Sequence, residues 1–195
     1  YYTSPFPKAA ILTMDGSGDF VTCALSLGNG SRIKRLDSLY WPNSLGMLYF
    51  SVTQYLGFHE IGAEGKVMAL ASFGRPRYVD EFRKILKVTP NGFKLDMSYF
   101  TFHLPVLIDN WGDPTTAQFF IYRDWLSEKF HCLFGPAREP SAEVSQRHYD
   151  VAASLQQILE EAGVSLLKKL HRLTGIDDVC LAGGVALNCV LNGKV

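Results

Sequence analysis

No run of apolar residues in this sequence approaches the ~18 that a membrane-spanning helix needs, and no signal-peptide pattern opens it. There is no charge excess either, because nineteen Lys and Arg balance nineteen Asp and Glu. That neutrality removes the basic footprint of a dedicated nucleic-acid binder. The four cysteines, at 23, 132, 180 and 189, form no Cys-x-x-Cys pair. In 195 residues this is neither a disulfide framework nor a zinc motif, so reduced thiols and a cytoplasmic setting are expected. The five histidines have no mutual i,i+3 or i,i+4 spacing, and His59-Glu60 lacks the second His of a zincin helix. No Ser-His-Asp arrangement is legible, and Ser17 between two glycines is not a nucleophile elbow.

What is present is globular in composition, with 47% hydrophobic and 19% charged residues, enough for one full domain or two small ones. The chain opens on Tyr1-Tyr2-Thr3-Ser4-Pro5 without Met and stops at Gly193-Lys194-Val195, inside what reads as a helix. A piece of a longer protein is the expectation. Strands are predicted over about 9–15, 20–27 and 33–40, joined by Asp15-Gly16-Ser17-Gly18-Asp19 and by the turn signal Asn29-Gly30. Together they make an antiparallel meander.

Ser44 is placed to cap a helix whose apolar residues, from Leu45 to Leu56, recur at helical spacing until Gly57. Shorter helices are predicted over about 63–72 and 80–86. Residues 88–142, with the turn Asn91-Gly92 and a helix near 115–132, read as mixed helix and loop. The clearest helix covers about 143–174, with Val151, Leu155, Ile158, Leu159, Ala162, Leu166, Leu170 and Leu173 on one stripe. Val179-Cys180-Leu181-Ala182 then predicts a short buried strand, and Gly183-Gly184 leads into a new helix.

Two places can carry chemistry. The tip Asp15-Gly16-Ser17-Gly18-Asp19 offers carboxylates, a hydroxyl and glycines that leave backbone N–H groups uncovered, suited to a phosphate or a metal. It is also what an ordinary tight turn looks like. The strand–Gly183-Gly184–helix step lets a ligand approach the backbone near free N–H groups, and Asn188, a turn into that helix, can bond a nucleotide or sugar. Close helix–strand packing would call for the same small residues. Glu64 and Lys66 start a short helix and can face a hydroxyl or a phosphate, or simply solvent. Arg138 is an anion clamp or a surface residue.

Several motifs, in order, resemble the amino-terminal domain of the NodU/CmcH-type carbamoyltransferases. They begin with Ser4-Pro5-Phe6, Ala10 through Gly16, and Ser44-Leu45-Gly46. Glu64-Gly65-Lys66-Val67-Met68, Arg138-Glu139-Pro140, Asp150 through Gln156 and Leu181 through Asn188 complete the series. The resemblance implies an α/β fold of the actin/Hsp70/sugar-kinase type, with two ribonuclease-H-like halves around a nucleotide cleft. Residues 1–87 would then be part of the first half, 88–142 an insertion or cap, and 143–195 a linking helix and the truncated start of the second half.

The implied chemistry is O-carbamoyl transfer. Carbamoyl phosphate and ATP give carbamoyladenylate on a separate YrdC-like domain, and the present domain passes the carbamoyl group to the hydroxyl of a small molecule or sugar. In related enzymes an iron-type divalent metal is held by a His-x-x-x-His motif and aspartates, of which Asp15 would be one. That histidine motif normally lies just upstream of the segment matching Tyr1, so this piece alone is expected to be inactive. Gly16, Ser17, Gly18, Gly183, Gly184 and Asn188 are then expected on the nucleotide, with Lys66 and Glu64 on the cleft wall. Family members often carry Gly where Ala69 stands and Glu where Asp19 stands. Rival readings are a threonylcarbamoyl transferase acting on tRNA, a non-catalytic nucleotide-binding module and a sugar kinase.

Overall fold

A computed structural model describes residues 1–60, 62–104 and 123–195. Strands β1 (Lys8–Met14), β2 (Val21–Asn29) and β3 (Arg32–Tyr40) form the expected antiparallel meander. Strand β1 is buried along nearly its whole length, and Ala9 and Leu12 are fully so. An unbroken apolar run of this kind suits a strand with neighbours on both sides. The second neighbour is β6 (Val179–Ala182), which pairs with β1 in parallel, Ala10 against Val179 through Thr13 against Ala182. The sheet order is therefore β3-β2-β1-β6. From sequence, the strand before Gly183-Gly184 was expected to open a second half; instead it is the fourth strand of the same sheet as the meander. Periodicity marks a strand but carries no record of its partner.

The described residues divide into two compact units, Tyr1–Met47 with Leu86–Leu95 and Gln157–Val195, and Leu48–Ile85 with Asp96–Gln156. In the first unit, the hairpin β4 (Leu86–Thr89) and β5 (Gly92–Leu95) turns at Asn91-Gly92. Its turn is recognised, but strands of four residues are too short to show an alternation. The long helix, here α5 (Gln146–Thr174), grips that turn with side chains spaced to share one face. Ser165 donates to Thr89 O, Lys169 to Asn91 O and Arg172 to Pro90 O. Lys169 also pairs with Asp37 of β3, and its ammonium holds the Asp37 carboxyl below the usual range. Gly163, costly inside a helix by about 1 kcal/mol relative to Ala, has a packing reason: a Cβ there would lie 2.7 Å from Leu191 Cδ1.

The second unit contains most of α1 (Leu45–Tyr55), together with α2 (Glu64–Ala71), α3 (Val79–Ile85) and α4 (Glu128–Phe134). Of the helix expected near 115–132, residues 115–122 lie outside the described residues, 123–127 are not helical, and α4 starts only at Glu128 and ends at Gly135, whose φ is +83°. An aromatic cluster of Phe82, Phe130 and Phe134 fills this core, with ring centroids 4.4–6.4 Å apart. The first turns of α5 anchor the loop after α2. Asp150 accepts Arg75 N–H at 2.8 Å, and Ser154 Oγ accepts Tyr78 N–H at 2.9 Å. Burial pushes the Asp150 carboxyl up, but the bonds from Arg75 N–H and Gln146 and the charges of Arg77 and Arg75 outweigh it and hold the group below its usual value. Among the described residues no helix is long and apolar enough to cross a membrane.

Cys23 lies in the sheet core, where burial pushes its thiol up to about 12. A neutral, enclosed thiol is inert. Alkylation of the native protein at neutral pH should therefore label the exposed Cys132 and Cys189 and spare Cys23, as read by peptide mass spectrometry. Labelling of Cys23 at a rate matching theirs would contradict this core.

Candidate functional site

The parallel pairing of β1 with β6 brings the two glycine-bearing ends together within the first unit. Thr13 lies against Ala182, so the end of β1 at Met14 and the following Asp15 come beside Gly183 and Gly184. The approach is too close for any side chain at 183, where a Cβ would stand 2.2 Å from Met14 O and φ is +91°. Only glycine satisfies both conditions. One residue further, a Cβ at Gly184 would lie 3.4 Å from Asp15 Oδ1, so the Asp15 carboxylate faces that backbone.

Asp15 is exposed, and its Oδ1 accepts the Gly16 N–H at 2.8 Å. Its own N–H closes the hairpin ladder on Thr22 O at 2.9 Å. Nothing lies within 4 Å of where a Cβ at Gly16 would be, although Gly16 has no positive φ to require glycine. That leaves room beside the backbone which no residue of the fold takes up. Beyond it, Gly18, Asp19 and Phe20 all have positive φ, +37°, +46° and +69°, giving a left-handed turn before β2. Asp tolerates this conformation, but a bulky Phe is strained there at a cost of about 1–3 kcal/mol. Trp41 N–H, bonded to Phe20 O at 2.9 Å, holds it in place. The tip is thus a held, strained loop with Ser17 and Gly18 exposed.

The helix expected after Gly183-Gly184 is different in kind. A 3-10 turn spans Gly184–Leu187, and the four-residue α6 (Cys189–Asn192) follows. Asn188 sits at the joint, not a turn inside a helix. It is buried, and its Oδ1 caps α6 by accepting Leu191 N–H at 2.9 Å. One turn of helix collects little dipole, so what this step can offer an anion is the backbone around Gly183 and Gly184 rather than a helix N-terminus.

Lys66 and Glu64 belong to the second unit, in the first turns of α2. Lys66 is exposed and bonds Glu60 at 2.9 Å, which holds the Glu60 carboxyl below its usual value. Arg138 is neither an anion clamp nor a surface residue. It is 7% exposed, and its guanidinium donates to the carbonyls of Leu56, Gly57, Glu139, Pro140 and Ala142. It lies over the Phe58 ring at 4.8 Å. A buried cation satisfied wholly by carbonyl oxygens is a structural clasp, consistent with the Pro-rich segment it closes.

The chain's match to the carbamoyltransferase N-terminus family model runs over residues 1–195. It belongs to that family. The uncharacterized protein sll1178 of Synechocystis sp. is 37% identical over 198 residues, covering all of this chain and 29% of that protein. Nodulation protein NolNO of Sinorhizobium fredii is 35% identical and NolO of Bradyrhizobium diazoefficiens 33%, each over 98% of this chain and over 24% and 30% of those proteins. The chain thus spans about a quarter to a third of the length of these curated relatives.

The metal implied by the family finds only a partial donor set here. Among the described residues no group of three or more His, Cys, Asp or Glu side chains is arranged to hold an ion. Asp15 contributes one carboxylate, and one carboxylate binds a transition metal poorly. These residues do not by themselves fit the metal.

Gly183→Ala tests the strand-end geometry. Its added methyl meets Met14 O and an unfavourable φ, so the variant should lose about 3 kcal/mol or more of stability. Gly184→Ala, whose methyl meets only the edge of a side chain, should lose much less. Equal melting temperatures for the two variants would contradict the close approach of β6 to β1.

Proposed function

We propose that this chain is part of an O-carbamoyltransferase, and that the paired ends of β1 and β6 bind the nucleotide portion of carbamoyladenylate. The observation that carries this reading is the parallel register, which sets Asp15-Gly16 beside Gly183-Gly184. Two glycine-bearing loops side by side give a phosphate close access to backbone N–H groups. Gly16, Ser17 and Gly18 are the groups proposed to face phosphate on one side, and Gly183 and Gly184 on the other. Asn188 shapes the second loop by capping α6.

In the proposed reaction an acceptor hydroxyl, on a small molecule or sugar, attacks the carbamoyl carbon. A carbon–oxygen bond to the acceptor forms, the bond to the adenylate oxygen breaks, and AMP and a proton are released. Carbamoyladenylate is supplied from carbamoyl phosphate and ATP by a YrdC-like domain. In this proposal Asp15 is also one ligand of an iron-type metal. The family membership supports the carbamoyl chemistry. The sheet supports the fold part of the proposal, an actin/Hsp70/sugar-kinase architecture. A meander extended on its first strand by a parallel strand is the arrangement of one ribonuclease-H-like half. A cytoplasmic location completes the reading.

Asp15→Asn keeps an oxygen for the Gly16 N–H while removing the charge. In the intact protein supplied with carbamoyladenylate, this variant should lower carbamoyl transfer to sugar hydroxyls by roughly 10- to 100-fold, at least the loss typical of altering a group that supports a metal site. Undiminished transfer would remove the β1–β6 end from the reaction. Sugar-stimulated ATP hydrolysis without carbamoyl transfer would point to a kinase instead.

A further inference from the structure

The motif Ser44-Leu45-Gly46 has no part in the site described so far, yet it touches the backbone of that site directly. Ser44 is completely buried. Its Oγ accepts the Met47 N–H at 3.0 Å, as a helix cap does, and also lies 2.6 Å from Gly16 O and 3.1 Å from Asp15 O. Capping uses only the oxygen lone pairs. The hydroxyl hydrogen is therefore left for the two carbonyls of the tip.

Gly46 lies one helical step further on. A Cβ there would stand 2.8 Å from both Gly16 Cα and Gly16 N, and 2.9 Å from Asp15 C. Its φ is not positive, so conformation does not require glycine, and Ala would be the better helix former. What excludes Ala is the Asp15–Gly16 peptide. The segment is itself tied back to the hairpin. Thr22 Oγ1 donates to Asn43 O at 2.5 Å, and Asn43 Oδ1 accepts Leu95 N–H at 3.0 Å. Thr22 O holds the Asp15 N–H, so the connections form a closed loop from Asp15 through Thr22, Asn43 and Ser44 back to Gly16.

We propose that Ser44 and Gly46 are positioning residues, which fix the Asp15–Gly16 peptide so that the Asp15 carboxylate and the open side of Gly16 face the ligand. This rests on the nucleotide reading above. The helix start acts as a bracket for the two inward carbonyls and leaves the outward groups unobstructed. An ordinary cap would stabilise α1 and nothing else.

The test uses the intact protein, ATP as the probe, and the variants Ser44→Ala and Asp96→Ala. Asp96 caps the short turn Met97–Tyr99 through Ser98 N–H, so its loss is a cap lost in the second unit. Two readouts are taken: amide exchange of the peptide covering residues 13–21 without nucleotide, and the ATP dissociation constant by calorimetry. Ser44→Ala should speed exchange at Gly16–Gly18 and weaken ATP roughly three- to tenfold, the worth of one hydrogen bond. Asp96→Ala should leave both unchanged. Gly46→Ala should reproduce the Ser44→Ala pattern without losing a cap. The proposal is overturned if folded Ser44→Ala binds ATP as tightly as wild type, or if its tip exchanges no faster. If the tip loosens but wild type itself does not bind ATP, the nucleotide reading falls, and the bracket has nothing to position.

Discussion

The parallel hydrogen bonds between β1 and β6 set everything at the candidate site. Without them the Asp15 turn would be an ordinary strained hairpin and Gly183-Gly184 an ordinary loop. Side by side, the two ends leave an exposed carboxylate, an open backbone at Gly16 and a second backbone at Gly184 within one small region. The pairing also explains which glycine is obligatory. Gly183 lies against Met14 O with a positive φ, whereas Gly184 meets only the Asp15 side chain. Strain at Asp19 and Phe20 is tolerated because β2 and the start of the Trp41 segment hold the turn from behind. Backbone strain of this kind tends to persist where the surroundings over-determine it.

The second unit solves a different physical problem with long polar side chains, of which Arg138 looked functional in sequence. Arg138 and Arg147 are cations that close loops by donating to carbonyl oxygens: Arg138 to the 56–57 and 139–142 carbonyls, Arg147 to Phe134 O and Pro136 O. Asp150 does the complementary work as an acceptor for Arg75 N–H. Irregular segments carry backbone groups that no ladder satisfies, and long polar side chains supply the missing partners. The family motifs around Arg138 and Asp150 are therefore explained by loop closure.

The parts of the fold legible in the sequence were those with a repeating signal. The three meander strands, the Ser44 cap, the end of α1 at Gly57 and the long stripe of α5 all follow from periodicity and turn chemistry. The β4–β5 hairpin was too short to show alternation. The partner of β6 was invisible because pairing is a property of two distant segments, not of one. Asn188 illustrates a subtler limit. Residues 184–192 are compatible with one continuous helix, and only the packing of Leu191 against Gly163 and the cap on Leu191 N–H show where the 3-10 turn gives way. At the site, Asp15 and the glycines stood out by residue type. Ser44 and Gly46 did not, because a helix start and a small residue have commoner explanations.

The central claim is that the nucleotide sits at the paired ends of β1 and β6. A crystal structure of the intact protein with a non-hydrolysable ATP analogue tests it most directly. Phosphate oxygens within about 3 Å of the backbone N–H groups of Ser17, Gly18 or Gly184 are the predicted result. A nucleotide bound elsewhere, with those N–H groups facing only water, would contradict it.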